Sequence, residues 1–299
     1  MSRFLLVLLC AACFGTGLTI SRLGLASFDV IDFTGLRFVV ATAAFALYHL
    51  VRRGPQWPRE RRFWLLSAGF GLMGTALPML AIVGSLRYLS SGMAAIVAAV
   101  GPAFAVLFAH FLLHDERFSA RKLLGIAVSF TGIAYLVLQR ETGLGSAASG
   151  MLGYGMLLGG LMLSHASIVL ARRYLRSYDL FQVVAVQMVA ATVVVLPLTT
   201  SAFSLEGVSD PTVAILSVVY AGLVGTFAAF LSRFALIKRF GATDAALIDY
   251  VVPVMAAAGG VLLLDEAVTG TMLVGMVIIL IGVRIVQTSN LPPTKGKTT

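Results

Sequence analysis

The sequence predicts an all-α polytopic membrane protein, with ten transmembrane helices arranged as two inverted five-helix repeats. Three observations predict it. Hydrophobic residues fill 59% of the 299 positions and charged residues only 12%, about half the charged share of an ordinary soluble domain. The basic residues are sorted by loop. The second half of the chain also repeats the first at a nearly constant offset.

The spans read in order as ten apolar runs, approximately 4–21, 33–51, 63–86, 91–113, 123–139, 151–171, 180–199, 213–237, 242–264 and 271–286. A span needs about 20 mostly apolar residues. Each run is assigned as a helix because backbone in lipid must bond within its own segment. The alternation of a β-barrel strand is absent. The first run follows Arg3 and contains LLVLLCAAC, partly like a cleaved leader. Its partnership with the sixth run assigns it as a span. The break 141–150, ETGLGSAASG, reads as a flexible link between repeat 1–140 and repeat 151–289. The tail 290–299, NLPPTKGKTT, is polar and is expected to be disordered and cytoplasmic.

A net charge of +9 taken alone suggests nucleic acid, but its distribution excludes that reading. Of 22 lysines and arginines, eighteen fall on the side of the chain ends. Three lie opposite, Arg22, Arg87 and Arg140, and Arg37 lies within a span. Basic residues favour cytoplasmic loops, so both termini are expected in the cytoplasm of a bacterial inner membrane. Trp57 and Trp64 fit an interfacial belt on that side.

The repeat is read residue by residue. At an offset of 150, Arg22 meets Arg172, Asp29 meets Asp179 and Thr42 meets Thr192. Around the third span the offset is 151, pairing Gly71, Gly74 and Thr75 with Gly222, Gly225 and Thr226, and later Pro102 with Pro253. It returns to 150 for Asp115–Glu116 against Asp265–Glu266, Gly125 against Gly275 and Gly132 against Gly282. A register this long is not chance. Five spans per copy invert the second copy, as in many secondary transporters. The two acid pairs then face opposite sides, which argues against a catalytic pair. The expectation is that these carboxylates, with Ser119 or Thr269, hold tight turns and cap the last helix of each half.

Two five-span halves, an Arg early in span two, a Pro in span four and DER-x-S followed by Gly125 and Gly132 resemble the EamA-type branch of the drug/metabolite transporter superfamily. The resemblance covers nearly the whole chain. It implies a central cavity ringed by the first four spans of each half, with spans five and ten peripheral. It also implies a cargo of amino acids, other small metabolites or drugs, usually moved outward.

Several motifs are assigned to packing. GFGLMG at 69–74 matches a dinucleotide fingerprint but lies inside a span. CAAC at 10–13 lacks a redox fold around it. Gly155 and Gly159 predict close helix contact, without implying a dimer. HFLLH at 110–114 spaces His110 and His114 for a metal, yet suits a helix C-terminus. No catalytic signature, cofactor motif or metal cluster is expected.

Polar groups at depth are the informative ones, because a charge in mid-membrane normally faces protein or water and has a partner. Asp249 is the one acid well inside a span. Arg233 lies a similar distance from the turn at Gly241, which predicts an Asp249–Arg233 ion pair. His165 lies at similar depth above Arg172, with an interhelical hydrogen bond as its structural reading. Arg37 is expected either to bind substrate or to hold a loop carboxylate, Asp29 or Asp32. Gln187 is its repeat mate. Tyr250 is a packing aromatic that could also line the cavity. Pro102 and Pro253 are hinge candidates. A carboxylate and an arginine together suit a zwitterion, and Asp249 or His165 could also carry a coupling proton.

The expected function is a secondary carrier exporting small metabolites, amino acids or related zwitterions, by alternating access. Its partners would be a small-molecule substrate, the lipid bilayer and coupling protons, with no nucleic acid. Export of cationic drugs or quaternary ammonium compounds is the alternative. A membrane enzyme acting on a lipid substrate is the distant one.

Overall fold

The computed structural model describes residues 2–52, 56–113, 119–144, 150–200, 208 and 210–288. His114, Asp115, Glu116 and the tail lie outside these residues. Every regular element among the described residues is helical. Among the described residues, nine helices have the length and apolar composition to cross a membrane: α1 (Arg3–Gly24), α2 (Val30–Arg52), α3 (Arg61–Ser85), α4 (Ser91–Leu112), α5 (Ala120–Leu138), α6 (Gly150–Tyr174), α7 (Leu180–Leu198), α8 (Pro211–Phe240) and, last of them, Gly270–Thr288. Between the final two lies a shorter apolar helix, α9 (Ile248–Leu264), so Gly270–Thr288 is α10. Large apolar side chains such as Leu138, Met151 and Leu262 point outward, as a bilayer allows and water does not.

The run expected as one span over 242–264 is divided. A helical turn at Ala242–Ala245 precedes α9. Tighter i→i−3 bonds, Leu247 N to Asp244 O and Asp249 N to Ala246 O, make the join. In the first copy, α4 breaks after Ala98 and restarts at Gly101, with Pro102 in the first turn of the new segment. Pro253 lies inside α9 and has no N–H for the Asp249 carbonyl four residues back.

Repeat mates meet across the molecule. The Thr42 and Thr192 hydroxyls share a hydrogen bond of 2.9 Å between α2 and α7. On α5 and α10, a methyl at Gly125 would sit 2.8 Å from the Gly282 carbonyl, and one at Gly132 3.1 Å from that of Gly275. The matched glycines are therefore where these two helices touch.

α3 and α8 each contain a π-helical turn, at Leu72–Ala76 and Leu223–Ala228. These begin at repeat-equivalent positions. In the second, the Thr226 hydroxyl donates to the Ala221 carbonyl, five residues back, at 2.9 Å. Gly71 lies against the Gln187 backbone, Gly74 against Ser167 and Gly225 against Gly17. Gly71 and Gly74 of GFGLMG thus serve packing, whereas nothing lies within 4 Å of a methyl placed at Gly69, and Cys10 and Cys13 are buried free thiols. Gly155 and Gly159 differ from expectation: nothing lies within 4 Å of a methyl placed at either. They open instead on an outward apolar groove of about 570 Å³ that includes Ala81, Phe108 and Leu163.

Candidate functional site

Three groups of polar residues lie among the helices. The first is built on Arg37 of α2, which is 4% exposed. Its Nε donates to the Thr226 hydroxyl at 2.8 Å, its Nη1 to the Ser21 hydroxyl at 2.8 Å, and its Nη2 to the Gly225 carbonyl at 3.2 Å. The expected loop carboxylates are elsewhere. Asp29 pairs with Arg87 at 2.6 Å, and Asp32 accepts from the Thr200 N–H at 3.0 Å. Arg37 instead spends its donor fork on α1 and on the π turn of α8, joining the two halves through neutral acceptors.

The second group is built on Glu266, in the loop between α9 and α10. Asp265 takes a left-handed conformation (φ 52°) that ends α9. The Glu266 N–H returns to the Gly260 carbonyl at 3.1 Å, in the manner of a Schellman cap. The carboxylate then reaches into the first half. It pairs with Arg22 Nε at 2.8 Å and accepts from the Ser91 N–H at 2.9 Å and the Ser91 hydroxyl at 2.7 Å, at the N-terminus of α4. Arg22 also donates to the Leu86 and Leu89 carbonyls. The expected capping by hydroxyls is present: Ser119 accepts from the Lys122 N–H and Thr269 from the Met272 N–H, while Asp115 and Glu116 lie outside the described residues. Sequence spacing missed the Glu266–Arg22 bridge because the partners lie in opposite halves.

The third group differs in kind. Arg233 of α8, Asp249 of α9 and His165 of α6 are each half-buried. Arg233 lies within electrostatic reach of both His165 and Asp249; the pairing expected from depth concerned Arg233 and Asp249 alone. The expected ion pair is not formed, since no Arg233 nitrogen comes within 4.0 Å of an Asp249 oxygen. Desolvation without direct pairing leaves both charges available to a third group. His165 bonds within its own helix, Nδ1 to the Leu161 carbonyl at 2.8 Å, rather than between helices. Its Nε2 lies over Gly101, beside the break in α4.

Two candidates stand apart. The Tyr250 hydroxyl donates to Gln287 Oε1 at 2.9 Å, which ties it to α10. Gln187 is half-buried on α7, where its backbone seats Gly71. Among the described residues, no group of three or more His, Cys, Asp or Glu is arranged to hold a metal.

A profile of the EamA-like transporter family matches residues 1–138 and 151–288. The chain belongs to the EamA-like transporter family. It is a multi-pass membrane transporter of the drug/metabolite transporter superfamily, as the motif resemblance implied. A relative from Archaeoglobus fulgidus, described as an uncharacterized transporter, is 22% identical over 96% of this chain and 99% of its own. One from Escherichia coli K12, described as a probable amino-acid metabolite efflux pump, is 24% identical over 94% and 93%. The Salmonella typhimurium LT2 relative of the same description is 25% identical over the same shares. A crystal structure at 23% identity covers 95% of this chain and 96% of its own, with a TM-score of 0.59, and shares the fold.

Proposed function

We propose that this EamA-type protein is a secondary carrier that exports amino acids or related zwitterions from the bacterial cytoplasm. Both termini lie inside, and the repeats 1–140 and 151–289 are inverted and joined by the link 141–150. One observation carries the substrate reading: a carboxylate and a guanidinium, Asp249 and Arg233, are half-buried within electrostatic reach of each other, and no ion pair joins them. A zwitterion supplies the complement to both. Its carboxylate takes two hydrogen bonds from Arg233, and its ammonium takes Asp249 together with the backbone carbonyl that Pro253 leaves without a donor. His165 Nε2 completes the polar wall. The efflux role described for the enterobacterial relatives supports the direction.

Alternating access is supported by the repeat-mate contacts and by the breaks near Pro102 and Pro253, which act as hinges. In this reading the Glu266–Arg22–Ser91 cluster and the Arg37 cluster hold the halves together on one side of the chamber. Asp249 or His165 carries the coupling proton. A metabolite-wide counterflow screen in proteoliposomes tests the reading. Exchange of amino acids supports it. Exchange of lipophilic cations with no amino-acid exchange would transfer the site to drug export, with Asp249 as the cation's partner.

A further inference from the structure

We propose that the α2–α3 and α6–α7 loops form one docking surface for the headgroup of an anionic phospholipid. The stretch 52–62 reads RRGPQWPRERR, between the end of α2 at Arg52 and the start of α3 at Arg61. Arg59, Arg61 and Arg62 are exposed. None of them forms an ion pair among the described residues. The one acid in the stretch, Glu60, is drawn away from them, because its carboxylate accepts a hydrogen bond from the Tyr178 hydroxyl on the opposite loop. That carboxylate pushes the Tyr178 phenol up, which keeps it a neutral donor.

Two more contacts fasten the loops together. Gln182 Nε2 donates to the Gln56 carbonyl at 3.1 Å, and the Phe63 and Tyr178 rings lie 5.0 Å apart. The second loop adds Arg176, also exposed. A basic run beside a span is ordinarily only a solvated face. Here its counter-charge is withdrawn, and indoles flank it. Trp57 and Trp64 lie 5.6 Å apart, and Trp64 Nε1 donates to the Pro58 carbonyl at 2.9 Å while 42% of the residue stays exposed. Indoles at the end of a span lie at headgroup level. Guanidiniums there offer forked donors to a phosphate, and clustered juxtamembrane basic residues draw anionic lipid.

The protein has two tryptophans, and both lie in this surface. Tryptophan emission, excited selectively over the tyrosines, therefore reports on it alone. The full chain is reconstituted into vesicles mixing brominated phosphatidylglycerol with plain phosphatidylcholine, and into the reverse mixture. Brominated phosphatidylglycerol is expected to quench at a mole fraction about three-fold lower than brominated phosphatidylcholine. Salt at about 1 M, where the Debye length is about 3 Å, is expected to erase that preference. The combined variant Arg59→Gln, Arg61→Gln, Arg62→Gln is expected to erase it at low salt. Equal quenching by the two lipids at low salt would overturn the proposal, as would a preference that survives both salt and the variant. The salt series needs no substitution, so a variant that fails to fold leaves the test intact.

Discussion

The Glu266 cluster and the Arg233 cluster use the same chemical groups to opposite ends. At Glu266, the carboxylate, a guanidinium, a hydroxyl and a helix N–H bond one another directly. At Arg233, a guanidinium and a carboxylate are close yet unbonded, with an imidazole bonded to its own helix. Buried charge that is fully partnered holds a structure together, and removing one partner is costly. Charge that is half-buried and unpartnered adds little to the fold, and it is free to act on something that enters. In the proposed function, the difference separates residues that join the halves from residues that would meet the cargo.

Breaking the first cluster is expected to give the largest effect. Glu266→Ala strands Arg22 and the Ser91 N–H, at a cost of about 3–5 kcal/mol, read as a lowered thermal midpoint in detergent. A midpoint within a degree of wild type would dissolve the contrast. Arg37→Lys comes next. A lysine keeps the charge but cannot reproduce the fork to Ser21, Thr226 and Gly225, and a loss of about 1–3 kcal/mol is expected in the same melt. At the second cluster, Arg233→Gln is expected to shift stability by no more than about 1 kcal/mol while counterflow falls about ten-fold, the equivalent of about 1.4 kcal/mol of lost binding or barrier lowering. The smallest effect belongs to the hydroxyl pair on the repeat mates. A double-mutant cycle of Thr42→Val and Thr192→Val should return a coupling of about 0.6 kcal/mol, the usual size for an interhelical hydrogen bond in a membrane.

The two clusters were unequally legible. Repetition in the sequence picked out the matched glycines and the threonine pair, but that they mark where α5 meets α10 and α2 meets α7 emerged only on folding. Spacing along antiparallel helices gave the depth of Arg233 and Asp249, and hence their proximity. It could not give their separation, which depends on how far the helices lean apart. Glu266 was misread as a turn residue because its neighbours in sequence explain a turn well enough. Its true partner, Arg22, is visible only after folding. The π turns were hidden for a related reason: Gly-x-x-Gly-Thr marks close packing, but the wider turn and the Thr226 hydroxyl bond to Ala221 are properties of the backbone path. Gly155 and Gly159 show the converse, a contact motif whose face turns outward.

The most direct test of the account is counterflow of an exchanged amino acid in proteoliposomes, wild type against Asp249→Asn, with the melting midpoint of each measured alongside. The account predicts that flux falls by about ten-fold or more, its pH dependence changes, and the midpoint barely moves. Unchanged flux with an unchanged pH profile would contradict it and remove Asp249 from the transport site.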